Sequence, residues 1–206
     1  MTPSLSLLSF QILWMSLPLI ISGILHMFVV KFNWLPLFNY PIDSNIQLNH
    51  QPLFGKNKTW RGVLIMVLTC SVLGSLQGML FGEWAHINEL ECLDYLMISI
   101  NLNFSSFTVG YLLVNLTLGT GYILGELPNS LIKRQLKIAP GQHGKKTIGK
   151  LFLVIDHLDS VIFSLVLLVI LFNISWALFF MGTIVLGITH YVIVLMLYSF
   201  NIKKSL

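Results

Sequence analysis

Five stretches of apolar residues, separated by polar connections, set the pattern of this chain. A helix rises about 1.5 Å per residue, so a run of about 20 apolar residues crosses the hydrocarbon core of a bilayer. The pattern predicts an all-α polytopic integral membrane protein whose five transmembrane helices lie near Leu5–Val30, Val63–Phe81, Phe104–Leu124, Leu158–Phe172 and Trp176–Phe200. The fourth run is short, and its helix is expected to begin within the preceding motif.

Two long polar connections interrupt the apolar runs, near residues 31–61 and 125–157. The first is rich in proline, asparagine and glycine, which are turn and helix-breaking residues. The length of the chain indicates one membrane-embedded domain over residues 1–206. Within the second span, Gly74 and Gly78 are four residues apart, and such a pair lets two helices approach closely.

Composition supports the membrane assignment. Hydrophobic residues make up 55% of the chain and charged residues 10%, whereas soluble domains carry about 25% charged residues. A chain this apolar has too little polar surface to remain in water. Its charges are few, and nothing in the sequence predicts a nucleic-acid partner.

The basic residues are distributed unequally between the two membrane faces. All 12 Lys and Arg residues lie in Lys31–Arg61, Lys133–Lys150 or the C-terminus, and the two remaining loops contain none. Loops that carry Lys and Arg tend to stay in the cytoplasm. The chain is therefore predicted to be a multi-pass protein of the inner (cytoplasmic) membrane, with its N-terminus outside and its C-terminus in the cytoplasm.

Three acidic residues lie on the same face as these cations. Glu126 directly follows a span, and Asp156 and Asp159 lead into the next one. Acids near the apolar zone are costly and usually have a partner. On a helix the two aspartates point to one side. Carboxylates of this kind, together with substrate phosphates, suit Mg²⁺, so Glu126, Asp156 and Asp159 are the candidate metal ligands.

Phosphate ligands are expected from the neighbouring polar and basic residues. Ser130, Lys133 and Arg134 follow Glu126 at spacings that bring them roughly to one side of a helix. Arg can bind a phosphate through two hydrogen bonds, and Lys binds it as a point charge. The first connection adds four more candidates for nucleotide binding, namely Lys56, Lys58, Thr59 and Arg61. His143 and His157 lie nearby, and a structural or headgroup-contact role is favoured for them over that of a general base.

The sequence from Gly125 to Arg134, Gly-Glu-Leu-Pro-Asn-Ser-Leu-Ile-Lys-Arg, is followed by Asp-His-Leu-Asp at residues 156–159. These motifs resemble the membrane CTP transferases, which are the phosphatidate cytidylyltransferases and the CDP-archaeol synthases. The Gly55–Gly62 stretch resembles the short CDP-archaeol synthase branch in particular. The chain departs from the family pattern at Glu126, where Asp is usual, and at His157, where Gln or Arg is usual.

The resemblance implies a cytidylyltransferase of phospholipid biosynthesis. A lipid phosphate attacks CTP to give a CDP-lipid and pyrophosphate, with Mg²⁺ neutralising the triphosphate. By motif match, Ser130, Lys133, Arg134, Asp156 and Asp159 are the catalytic candidates. The implied partners are CTP, a lipid phosphate and the bilayer.

An alternative reading is a non-enzymatic membrane protein, such as a small transporter or a scaffold subunit. A transporter is expected to place polar or broken-helix features near the middle of the bilayer. Here the charges cluster at one surface, which favours surface chemistry. The acceptor is left open among phosphatidate, an archaeal-type ether lipid and an isoprenoid phosphate, and the oligomeric state, a homodimer included, is left open as well.

Overall fold

The structure is a computed structural model, and it describes residues 4–94, 98, 101, 106–142, 144 and 146–202. In this part of the chain, five helices are long and apolar enough to cross a membrane. They are α1 (Leu5–Lys31), α2 (Trp60–Ile87), α3 (Phe107–Gln135), α4 (Lys146–Phe172) and α5 (Trp176–Ser199). The prediction of an all-α membrane protein with five spans is confirmed.

The connection between α1 and α2 contains the other regular elements described. A 3₁₀ helix covers Pro36–Phe38, and strands β1 (Gln47–Leu48) and β2 (Gln51–Pro52) pair in an antiparallel hairpin. Pro41 and Thr59 form a further antiparallel bridge. These contacts fold the connection into a compact loop at the start of α2.

Hydroxyl side chains define where four of the helices begin. Ser4, Thr59, Ser106 and Ser175 each accept a hydrogen bond from the backbone N–H three residues further on. The first four N–H groups of a helix have no partner within the helix, and a capping oxygen satisfies one of them. Such caps matter near a bilayer, where an unsatisfied backbone group is costly.

The helices form a closed bundle around α3. Helix α3 packs extensively against both α2 and α4, while α5 packs against α4 and α1, and α1 packs against α2. The connections from α1 to α2 and from α3 to α4 therefore lie at the same end of the bundle. This end carries the residues singled out from the sequence.

Close helix approach at both faces of α3 depends on glycine. A Cβ atom on Gly78 of α2 would lie 2.8 Å from Tyr111 Cβ and 2.9 Å from the Phe107 carbonyl oxygen. The expectation that Gly74 and Gly78 allow close packing is thus confirmed. On the opposite face, a Cβ on Gly125 would lie 2.7 Å from the Asp159 carbonyl oxygen and 2.8 Å from Ser160 Cα.

The second long connection is shorter than the sequence predicts. Helix α3 continues to Gln135 and α4 begins at Lys146, so most of residues 125–157 is helical. The expectation that the fourth helix begins before the apolar run at Leu158 is confirmed. The first part of α4 carries Lys146 and Lys150, which lower its hydropathy without disturbing its backbone hydrogen bonds. Lys145, Lys203 and Lys204, together with His143 and most of the stretch near residues 95–105, fall outside the described residues.

We predict that Gly125→Ala destabilises the protein by separating α3 from α4. The added methyl group meets backbone atoms that cannot rotate away, and overpacking of this kind costs about 1–3 kcal/mol. That cost exceeds the gain of about 1 kcal/mol that alanine offers over glycine in a helix. Thermal unfolding in detergent should show a lower midpoint for Gly125→Ala.

Gly23→Ala in α1 is the matched control, because a Cβ there would meet nothing within 4 Å. It should leave the unfolding midpoint unchanged or raise it. An unchanged midpoint for Gly125→Ala would contradict the close approach of α3 and α4.

Candidate active site

Two aspartates on α4 form the centre of the site. Asp156 and Asp159 are one helical turn apart and face α3. The Asn129 side-chain amide donates to Asp156 Oδ1 and to Asp159 Oδ2, each at 2.6 Å. Asp159 Oδ1 also accepts from the backbone N–H of Ser160 at 2.6 Å. The expectation that both carboxylates point to one side of their helix agrees with this geometry.

Lys133 pairs with the first of these carboxylates. Its Nζ lies 2.5 Å from Asp156 Oδ1, and its side chain is 5.2 Å from the centre of the Phe152 ring. Lys133 and Arg134 lie in the last turn of α3, where the negative end of the helix dipole favours cations. Helix geometry and charge pairing together therefore hold Lys133 against α4.

Arg134 is buried but only partly satisfied. The residue is 5% exposed, and its Nε and Nη1 atoms have no hydrogen-bond partner among the residues that the structure describes. Gly55 lies against its side chain, since a Cβ at Gly55 would be 3.3 Å from Arg134 Cδ. A buried guanidinium with unused donors is costly unless a ligand binds to it.

The four candidates from the first connection have different surroundings. Lys58 forms an ion pair with Glu126, and Lys56 is exposed. Thr59 caps α2. Arg61 Nη1 donates to Asn33 Oδ1 at 2.8 Å and to the Trp34 carbonyl oxygen at 3.1 Å.

One cavity of about 430 Å³ joins all these groups. Every site candidate from the sequence lines it: Lys56, Lys58, Thr59, Arg61, Glu126, Ser130, Lys133, Arg134, Asp156 and Asp159. The cavity continues between α1 and α5, where its walls become apolar and include Leu19, Met27, Leu186 and Ile193. Its volume is typical of small-molecule sites.

The oxygen donors suit a hard divalent cation that also binds phosphate. Among the described residues, no three His, Cys, Asp or Glu side chains form a cluster that could hold a metal ion alone. Mg²⁺ commonly binds through one or two carboxylates and completes its shell with water and substrate phosphates. Asp156 and Asp159 offer such a pair, and the buried Asn129 Oδ1 has no hydrogen-bond partner in the described part of the chain.

Among the lining residues that sequence reasoning missed are His26, Tyr122, Asn129 and His190. The two histidines are isolated in the sequence and come from α1 and α5. Asn129 carried a usable signal, because it lies three residues after Glu126 and four before Lys133 on α3.

His157 faces away from the carboxylate pair. Its Nδ1 lies 2.8 Å from the Leu153 carbonyl oxygen, a contact it can make only as a donor. Its ring packs against His190 and Tyr191 of α5, with centroids 5.4 and 5.1 Å apart. His157 is absent from the cavity wall, which agrees with a structural role.

Asp43 organises the loop that carries Lys56 and Lys58. Its carboxylate is buried and accepts from the backbone N–H groups of Asn45 at 3.1 Å, Phe54 at 2.9 Å and Gly55 at 3.2 Å. A carboxylate that accepts several backbone hydrogen bonds fixes the chain around it. Asp43 thereby holds Gly55 close to Arg134.

Asp43→Ala should loosen this loop, because it leaves three backbone N–H groups without their acceptor. Each buried unsatisfied group costs about 1–3 kcal/mol. Trypsin should therefore cleave after Lys56 and Lys58 faster in the variant. Ser44→Ala, at an exposed neighbouring position, is the control and should be cleaved as slowly as the wild type. Equal cleavage rates for both variants would contradict the role of Asp43.

A comparison with protein families matches residues 5–206 to the family described as CarS-like, CDP-archaeol synthase. No curated protein and no solved structure matches the chain. The family match covers all five helices and both connections that form the cavity.

Proposed function

The chain belongs to the CDP-archaeol synthase family, and from that premise we propose that it transfers the cytidylyl group of CTP to a membrane lipid phosphate. Membership implies a CTP-dependent cytidylyltransferase of lipid biosynthesis in a multi-pass membrane protein. The acceptor, the metal and the roles of individual residues are parts of the proposal.

The buried, unsatisfied guanidinium of Arg134 is the observation that carries the proposal. Arg134 lines the cavity that also holds Lys133 and the Asp156–Asp159 pair, and its buried Nε and Nη1 have no hydrogen-bond partner among the described residues. Guanidinium groups bind phosphate oxygens with two parallel hydrogen bonds. A triphosphate would therefore satisfy donors that the described protein leaves unused.

Asp156 and Asp159 would hold Mg²⁺, and Glu126 is the third candidate. Magnesium would supply charge neutralisation on the triphosphate when bound. Glu126 already pairs with Lys58, so any contact of Glu126 with a cation would free the Lys58 ammonium for a phosphate oxygen. Ser130 and Lys133 are proposed to bind the phosphates from the α3 side.

The proposed reaction exchanges one phosphoanhydride bond for another. An oxygen of the lipid phosphate forms a bond to the α-phosphorus of CTP, and the bond from that phosphorus to the bridging oxygen breaks. The electron pair leaves with pyrophosphate. Both reactants are already ionised, so no base is needed to make the nucleophile, and the chain's task is to orient charges and stabilise them.

The shape of the cavity supports a lipid acceptor over a water-soluble one. Its charged end joins an apolar stretch between α1 and α5. A phosphate attached to apolar chains could occupy both regions at once. A soluble alcohol phosphate would leave the apolar stretch unused.

The proposed orientation places this charged end in the cytoplasm, where CTP is available. The loops at this end carry the Lys and Arg residues, and the opposite loops carry none. The positive-inside tendency then puts the N-terminus outside and the C-terminus inside the cytoplasmic membrane.

Purified protein should release pyrophosphate from labelled CTP when Mg²⁺ and a suitable lipid phosphate are present. Phosphatidate, an ether-linked lipid phosphate and an isoprenoid phosphate form the acceptor panel. Asp159→Asn should abolish turnover, because it removes a carboxylate charge from the proposed metal pair. Arg134→Ala should raise KM for CTP roughly ten- to a hundredfold, since hydrogen bonds to charged groups contribute about 1.5–3 kcal/mol.

Lys137→Ala is the matched control for Arg134→Ala, because Lys137 is an exposed cation just beyond the end of α3. Its KM should match that of the wild type. An absence of turnover with every acceptor, combined with ligand uptake into proteoliposomes, would favour a transporter instead. Full activity in folded Asp159→Asn would remove Asp159 from the metal site.

In intact cells, a membrane-impermeant maleimide should label a cysteine near the protein's N-terminus and leave one near its C-terminus unlabelled. Single cysteines at Ser4 and Asn201, in a background without Cys70 and Cys92, would report the two ends. Lysed cells provide the control, in which both positions should react. Labelling of both ends from outside intact cells would contradict an odd number of spans.

A further inference from the structure

Asn129 occupies a distinctive position between the two aspartates. A single side-chain nitrogen, Asn129 Nδ2, lies 2.6 Å from an oxygen of Asp156 and 2.6 Å from an oxygen of Asp159. A primary amide has two N–H donors, so each carboxylate receives one of them. Asn129 is 8% exposed and comes from α3, whereas both aspartates come from α4.

This contact sets the relative position of the two carboxylates. Two negative charges on one face of a helix repel each other, and without a shared donor their side chains can adopt other rotamers. Lys133 contacts Asp156, and Ser160 contacts Asp159, but neither of these described contacts spans both. Among these hydrogen bonds of the described residues, the one from the Asn129 amide links one carboxylate to the other.

The oxygen of the same amide accepts no hydrogen bond in the described part of the protein. Asn129 Oδ1 is buried without a hydrogen-bond partner among the described residues, although a buried polar atom is normally satisfied. Asn129 also lines the cavity that contains the proposed metal ligands. An amide oxygen is a ligand type that Mg²⁺ and Ca²⁺ accept, so this unsatisfied atom is compatible with a cation, or a water molecule bound to it, beside the aspartates.

We propose that Asn129 is a positioning residue for the metal site, holding Asp156 and Asp159 at the separation and orientation that a divalent cation requires. This inference rests on the proposed function, because it presumes that the two aspartates bind a metal. It adds a residue to which the sequence motifs gave no role. Asn129 acts through the carboxylates, so its loss should weaken metal binding before it affects any other step.

The test measures Mn²⁺ binding to the full chain in detergent, without CTP. Binding is monitored as the loss of the electron paramagnetic resonance signal of free Mn²⁺. Asn129→Ala should raise the Kd for Mn²⁺ about 10–100-fold, which is the usual effect of removing a residue that orients metal ligands. The readout requires no turnover, so it is independent of the lipid acceptor.

Asn115→Ala is the matched control. Asn115 is also a buried asparagine of α3, and its Nδ2 donates to the Tyr111 carbonyl oxygen at 3.0 Å. It lies 14 residues from Asn129, which is about 21 Å along the helix. Thermal unfolding will show whether the two variants are destabilised alike, and Asn115→Ala should keep the Kd of the wild type within about twofold.

Asn129→Asp provides a second test, in which the thermal unfolding midpoint is measured with and without Mn²⁺. The substituted carboxylate cannot donate to its neighbours and adds a third negative charge beside them. Its unfolding midpoint should be below that of the wild type without metal, and Mn²⁺ should raise it more than it raises the wild-type midpoint. An equal deficit with and without Mn²⁺ would show that no cation binds beside position 129 and would contradict the proposal.

Each outcome separates this inference from the proposed function. A wild-type Kd in folded Asn129→Ala, or an equal loss of affinity in Asn115→Ala, would overturn the role of Asn129 and leave the metal site standing. Failure of the wild-type protein to bind Mn²⁺ both without and with CTP would overturn the metal site of the proposed function and this inference with it.

Discussion

The pairing of partly buried charges is the constraint on which this structure depends. A charge enclosed among membrane helices is costly unless it meets an opposite charge or a hydrogen-bond donor. Lys58 meets Glu126, Lys133 meets Asp156, and the Asn129 amide meets both aspartates. These contacts connect the loop before α2, helix α3 and helix α4 at one end of the bundle, so the groups proposed for chemistry also help to hold these elements together.

Helix α3 makes this arrangement possible because it satisfies two requirements at once. Its small residues let it approach its neighbours closely, as Gly125 does against Asp159 and Ser160 of α4. Its next turns carry Asn129 and Lys133 on the same side. Close backbone approach is what brings these side chains within hydrogen-bond distance of α4, so packing and site geometry have a single origin.

Much of this could be predicted from the sequence, because hydropathy and local spacing are local properties. Five apolar runs gave the spans, and the spacing of Asp156 and Asp159 correctly put both on one side of a helix. The start of α4 could not be read in the same way, because Lys146 and Lys150 lower the hydropathy of a segment that stays helical. His26 and His190 reach the cavity only because α1 and α5 pack near α3, and no local sequence pattern encodes that packing.

The chemistry of Asn129 also bears on why a neutral side chain links the two aspartates. A lysine or arginine at this point would bind both carboxylates more strongly, but it would also cancel the negative charge that is proposed to attract a divalent cation. An amide orients the oxygens while leaving their charge in place. Lys133 already neutralises part of that charge through Asp156, and Lys58 is occupied by Glu126. The site thus places the Lys133 cation on one carboxylate only and keeps a neutral donor between the two.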